Sequence, residues 1–316
     1  MDRRSFLGGL SACLATPLFP SLATAAPIAG SGAALIAAWR SPLRLSATGE
    51  EIEAGPTTDY VGILAPDWDA GRVRVRQAIA VPNRVHGLLA DPGGGFFAVA
   101  YRPGKWLMRV AADGTVGARI DMAAEGERTL EGHGVLSPDG QFLITTETRP
   151  ESGEGWISVR DRRSLKKQAE WRTHGIEPHD ARFDAAGRLI VANGGILRAP
   201  GDKKRDLDAM DSSLVRLDIA SGELLGRWRL RDPRLSLRHL AVSAGSGGGK
   251  PLAGVALQAE HDDAAKRAAA PILAVWDGER LEVPTHIPLG MGYCSDIVPG
   301  QDGGFYLNGE RADRVF

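Results

Sequence analysis

The sequence has almost no net charge, almost no cysteine and no long apolar run, and each shortage closes off a class of protein. Lysine and arginine number 38 against 39 aspartates and glutamates, a formal charge of −1. Nucleic-acid binding normally shows as a basic excess, and there is none. The chain is 43% hydrophobic, and beyond its first residues no stretch of eighteen apolar residues could span a bilayer as a helix. The cysteines are Cys13 and Cys294. What the chain has in quantity is punctuation: 40 glycines and 19 prolines interrupt helices and favour short strands joined by turns.

The first residues read as an address. Asp2-Arg3-Arg4-Ser5-Phe6-Leu7 has the form of a twin-arginine export signal, and Ala23-Thr24-Ala25 supplies the small residues a signal peptidase accepts. Cleavage is expected after Ala25, since cutting one residue later would leave Pro27 first, and the periplasm is the expected destination. Leu10-Ser11-Ala12-Cys13 also resembles a lipobox, but the apolar stretch ahead of Cys13 is short and Leu14 to Leu22 continues it, so lipid anchoring at Cys13 is the weaker reading. With 1–25 removed, Cys294 stands alone, and the fold must be held without an internal disulfide.

A repeat follows. Val85-His86-Gly87-Leu88, Gly132-His133-Gly134-Val135, Pro178-His179-Asp180-Ala181 and Arg238-His239-Leu240-Ala241 each lead through a turn to a second apolar run, and Tyr293-Cys294-Ser295-Asp296 opens a fifth unit. The histidines are 47, 46 and 60 residues apart. Between them lie alternating segments such as Trp106–Val110, Trp156–Val159, Leu214–Asp218 and Ile272–Gly278. Ala34–Trp39 and Tyr60–Leu64 supply an earlier unit without histidine. Four strands every 40–50 residues is the period of a β-propeller. The expected organisation is a signal peptide over 1–25 and an all-β propeller over 33–316 with six inner strands. The sequence reaches Arg311–Phe316 where an outer strand pair should begin, which favours a truncated form of a seven-bladed parent.

The runs His-Gly-Val-Leu-Ser-Pro-Asp-Gly at 133–140, Thr-His-Gly-Ile-Glu-Pro-His at 173–179, Val-Ala-Asn-Gly-Gly-Ile at 191–196 and Leu-Ser-Leu-Arg-His-Leu-Ala at 235–241 resemble the bacterial domain-of-unknown-function family numbered 1513. The resemblance runs from about Ala34 onward. It implies a twin-arginine-exported, propeller-like protein encoded beside imelysin-type lipoproteins and di-haem oxidoreductases, hence an accessory role in periplasmic iron uptake with an imelysin-type partner. It implies no established activity.

In a propeller the first strand of each blade lines the central channel, so His86, His133, His179 and His239 are expected to converge on one axial mouth. Neutral imidazoles there are donors for iron, copper or zinc. Glu147, at the end of the second strand of its unit, is added as a fifth candidate ligand. Asn193, Gln258 and Asn308 hold equivalent places and would orient the rings, or simply cap strand ends. Two or three histidines with a carboxylate or water are the expected site, and replacing His133 and His179 by alanine should abolish binding. The competing reading is structural, with the rings bonding backbone carbonyls.

The loop from Gly194 to Ser213 is long and of mixed charge, suited to docking a partner or clamping an anion, or merely solvated. His174 and His261-Asp262-Asp263 are weaker candidates for the same face. There is no nucleophile elbow, phosphate loop or nucleotide fingerprint, and the Gly93–Gly95 and Gly247–Gly249 runs belong to turns. Cys294 reads as inert. The function expected is metal-associated binding without catalysis. A metal-dependent propeller oxidoreductase or hydrolase and an interaction scaffold with structural histidines are the alternatives.

Overall fold

The computed structural model describes residues 34–245, 249–287 and 289–316. The export signal, the lipobox cysteine and most of the Gly247–Gly249 run lie outside them. The chain is all-β, and among the described residues no helix is long and apolar enough to cross a membrane.

Two units are distinguished, residues 1–80 with 219–221, and residues 81–218 with 222–316. Within the first, β1 (Leu35–Leu45), β2 (Glu51–Asp67) and β3 (Arg72–Val81) form one antiparallel sheet. Its register sets Trp39 opposite Tyr60, whose rings stack at 5.9 Å between centroids. This is the unit expected without histidine.

The second unit is a run of sheets in chain order. Its first is β4 (Val85–Ala90), β5 (Phe96–Ala100), β6 (Trp106–Val110) and β7 (Val116–Asp121). The next is β8 (Thr129–Leu136), β9 (Phe142–Thr148), β10 (Glu154–Asp161) and β11 (Lys167–Ile176). The third begins with β12 (Pro178–Phe183) and β13 (Leu189–Asn193), is interrupted by a hairpin of β14 (Leu197–Ala199) and β15 (Lys203–Arg205), and ends with β16 (Ser213–Leu217) and β17 (Leu224–Trp228). Then come β18 (Leu235–Ser243), β19 (Leu252–Ala259), β20 (Leu273–Trp276) and β21 (Leu281–Glu282). The last sheet has three strands, β22 (Asp296–Pro299), β23 (Phe305–Gly309) and β24 (Arg314–Val315). The segment where an outer strand was expected to begin does pair, Val315 opposite Asn308. Six sheets of three or four strands are described, and no seventh is found among the described residues.

Each four-stranded sheet runs in simple antiparallel order with its first strand at one edge. Those first strands pack side by side, β4 on β8, β8 on β12, β12 on β18 and β18 on β22, which is the arrangement of propeller blades. Apolar residues fill the spaces between sheets. Phe97, Val99, Leu107, Leu130 and Leu143 form one cluster. Ile190, Leu214, Leu237, Val255 and Trp276 form another, and Ala256, Ile272, Cys294, Ile297 and Leu307 a third. Faces buried on both sides explain why β5 and β13 are apolar almost throughout instead of alternating.

Candidate metal centre

The histidines do not lie in the regular part of their strands. In β4 the register breaks between Val85 and Gly87, in β8 between Leu130 and Gly134, in β12 between Pro178 and Asp180, and in β18 between Leu237 and Leu240. His86, His133, His179 and His239 each fall inside one of these breaks. A bulge leaves its extra residue out of the ladder and re-aims the side chain, and the same irregularity recurs in four consecutive sheets. Close approach of β4 to β8 depends on Gly132, at φ +103°, where a Cβ would lie 2.5 Å from His86 Cδ2.

The four rings form one cluster. His133 is its hub, with centroids 4.6 Å from His86, 4.8 Å from His179 and 4.8 Å from His239. His179 and His239 are 4.7 Å apart, and His86 is 6.1 and 6.5 Å from those two. Most of the pairs are edge-on, with interplanar angles of 62° to 84°. The donor atoms of His86, His133 and His179 lie within 4.8 Å of one another, and so do those of His133, Asp180 and His239. His133 is common to both groupings, and its buried Nε2 has no hydrogen-bond partner among the described residues.

Burial keeps the rings neutral. The His86 pKa falls from 6.5 to about 3, through burial first and then through His239 and the guanidiniums of Arg102, Arg238 and Arg84. Burial likewise drives His133 and His179 well below the ordinary value. His239 is also lowered by burial, partly opposed by Asp180. Neutral imidazole is the form that ligates metals.

One hydrogen-bond chain sets tautomers. Arg102 Nη1 lies 3.2 Å from His179 Nδ1, and since guanidinium only donates, Nδ1 accepts. The neutral ring then carries its proton on Nε2, which stands 3.3 Å from His239 Nε2 and donates to it. His239 therefore has a lone pair directed into the cluster. Asp180, fully buried, accepts from the Ala181 N–H at 2.8 Å and Arg182 at 2.6 Å on one oxygen and from the Leu240 N–H at 3.0 Å on the other. A carboxylate has about four acceptor positions, so one remains.

Glu147 does not join the histidines. It shares a face of β9 with Thr145, whose hydroxyl donates to it at 3.0 Å, and that face looks at arginines. Arg160 Nη2 stands 2.9 Å from one oxygen and Arg128 Nε 3.3 Å from the other. Its charge is thus already neutralised, and Asp180 is the carboxylate at the rings. Asn193 donates to the Thr173 carbonyl and the Ser213 hydroxyl at 3.3 Å, and Gln258 donates to Glu260. Asn308 pairs with Asp296 in the ladder. His174 is exposed, and His261 is bonded to Asp232 at 2.9 Å. Cys294 is buried with its thiol directed at the Asp296 carbonyl, and burial pushes its pKa up to about 11.

Beside the rings lies a second group of buried charges that no spacing announced. Glu177, at φ +54°, accepts from Arg198 at 2.6 Å and Arg238 at 3.1 Å, with Arg102 at 3.3 Å. Burial would raise its pKa, but Arg238, Arg198 and Arg102 prevail and hold it at about 2. Nearby Glu131 is driven the other way, to about 6, by burial and then by the charge of Glu177. The 194–213 segment, expected as an open loop, folds as the β14–β15 hairpin. Together with residues of β8, β9 and the β5–β6 connection it lines a cavity of about 800 Å³.

A family model described as protein of unknown function (DUF1513) matches residues 79–303. No curated protein matches the chain. Among solved structures, Kuenenia stuttgartiensis hydrazine synthase aligns with a TM-score of 0.54 at 14% identity, over 86% of this chain and 74% of that one. The Dos1 propeller aligns with a TM-score of 0.46 at 8% identity, over 79% and 63%. At such identity the first is a likeness of fold only.

Proposed function

This chain belongs to the DUF1513 family of proteins of unknown function, and for it we propose that the histidine cluster binds one transition-metal ion. The observation that carries the proposal is the unpartnered, buried Nε2 of His133 ringed by three neutral imidazoles. A buried nitrogen without a partner is costly, and coordination is what this donor set offers it.

Of the two groupings, His133–Asp180–His239 is the better centre. For His179 to bind through Nε2 while Arg102 holds Nδ1, the ring would have to lose its only proton. His239 need only turn a lone pair from a hydrogen bond to an ion, and the Asp180 carboxylate offsets the cation's charge. Imidazole with one carboxylate suits iron, copper or zinc.

We further propose that the protein acts in the periplasm after twin-arginine export, holding iron or copper or passing it to an imelysin-type partner, without itself being an enzyme. The Arg3-Arg4 leader and the family resemblance support this. Metal analysis of protein recovered from the periplasm, with cobalt(II) titration followed by absorption, tests the centre. One ion per chain is expected, lost in His133→Ala and weakened in Asp180→Asn with circular dichroism unchanged. A metal-free protein that takes up no ion between pH 6 and 8 would leave the rings a structural hydrogen-bond cluster, a reading that the Arg102–His179–His239 chain favours.

A further inference from the structure

The cavity of about 800 Å³ beside β8 has the size of a small-molecule site, and its polar lining is incomplete in a particular way. Three buried side-chain atoms on its wall have no hydrogen-bond partner among the described residues: Glu131 Oε2, Thr148 Oγ1 and Arg102 Nε. Glu131 is 4% exposed and Thr148 8%. Unsatisfied buried polar atoms are rare and each calls for an explanation. Here three line one cavity.

Their chemistry is complementary to a single kind of head group. Glu131 Oε2 needs a donor, Arg102 Nε needs an acceptor, and the Thr148 hydroxyl, near enough to Glu131 to pull its pKa down somewhat, takes either. Glu177 is already engaged by Arg198, Arg238 and Arg102, and Arg198 also reaches Asp202 at 3.1 Å. Arg102 Nε itself faces Asp202 Oδ2 at 3.6 Å, beyond hydrogen-bond distance, so a ligand carboxylate would take this nitrogen in place of Asp202. The rest of the wall sets an apolar stretch of Pro103, Pro150, Ile196 and Pro200 beside the charged Lys105, Glu151 and Arg205. A ligand must therefore present adjacent positive and negative groups and bury a hydrocarbon body.

We propose that this cavity binds an α-amino acid with an apolar side chain, its ammonium on Glu131, its carboxylate on Arg102 and its side chain against the proline and isoleucine wall. The proposal does not rest on the metal reading, because the histidines do not line the cavity.

Calorimetric titration of the full protein with three probes tests it: L-phenylalanine, 2-phenylethylamine, which lacks the carboxylate, and 3-phenylpropanoate, which lacks the ammonium. Phenylalanine should bind, and each truncated probe should bind at least about tenfold more weakly, the usual scale for one charge-assisted hydrogen bond. Glu131→Gln should cost about tenfold for phenylalanine and for 2-phenylethylamine while leaving 3-phenylpropanoate unchanged. If that variant does not fold, Thr148→Val, which keeps the shape and removes the hydroxyl, should still weaken phenylalanine severalfold. Metal content, measured on the same samples, should not change. No binding by any probe, equal binding of phenylalanine and 3-phenylpropanoate, or affinity indifferent to both substitutions would overturn the proposal.

Discussion

Lowering the pH should destabilise the metal-free protein steeply, and the size of the effect follows from the buried imidazoles. In the unfolded chain a histidine titrates near 6.5, whereas folded His86 titrates near 3. Between these values the unfolded state holds a proton that the folded state does not. Stability is therefore fully present above pH 6.5 and is lost as the pH falls toward 3. Every pH unit between the two values is worth about 1.4 kcal/mol, so His86 alone contributes about 5 kcal/mol over that window. His133, His179 and His239 are lowered too and add in the same direction. Glu131 opposes them between about pH 6 and 4.5, because its folded pKa is raised to about 6. With Glu131 set against them, the net slope between about pH 6 and 4.5 exceeds that of one proton, about 1.4 kcal/mol per pH unit. Against a total of about 5–15 kcal/mol for an ordinary domain, the contribution of His86 alone is a large share, so acid unfolding should occur before the pH reaches about 3. Urea titrations at pH 7.5, 6.5, 5.5 and 4.5, followed by tryptophan fluorescence, give the slope directly. In His86→Asn, which cannot titrate, the slope should fall by about 1.4 kcal/mol per pH unit. A slope below one proton, or stability that rises as the pH drops to 6, would mean the rings are charged when folded and would refute the neutral cluster.

Adding the cognate ion at a hundredfold excess over its Kd should raise stability by about 2.7 kcal/mol, seen as a higher Tm in wild type and no change in His133→Ala. Gly132→Ala should destabilise by about 1–3 kcal/mol and weaken metal binding, because its Cβ meets His86 on a left-handed backbone; equal ion affinity in the variant would contradict the close packing of β4 on β8. Arg160→Met should cost at least about 3 kcal/mol, since fully buried Arg160 holds Glu125 at 2.6 Å and Glu147 at 2.9 Å, and chemical denaturation of Arg160→Met with Glu147→Leu should show much of that recovered.

The blade pattern was legible because its signal is a period, and periods survive insertions. The histidines could be read as a set for the same reason, each holding one place in a repeated strand. Asp180 was not, because strict strand alternation puts a residue next to His179 on the opposite face, and only the break between Pro178 and Asp180 lets the two share a site. Glu131 was hidden the same way, inside the break between Leu130 and Gly134. Glu147 holds the right place in the repeat but has the wrong partners for a ligand: Arg160 sits thirteen residues on and Arg128 just ahead of β8, and a repeat position carries no record of either. Arg102 comes from a connection outside the strands, where no periodic rule applies, and Glu177 depends on a left-handed backbone that composition does not reveal.

Anchoring each histidine in an edge-strand bulge separates the length of a blade from the location of its ring. The step from His179 to His239 is 60 residues where the preceding steps are 47 and 46, the third sheet carries the extra β14–β15 hairpin, and yet His239 stands as near to His133 as His179 does. Blades of unequal length therefore deliver their rings to the same place, because the centre is set by four bulged inner strands and not by the spacing between them.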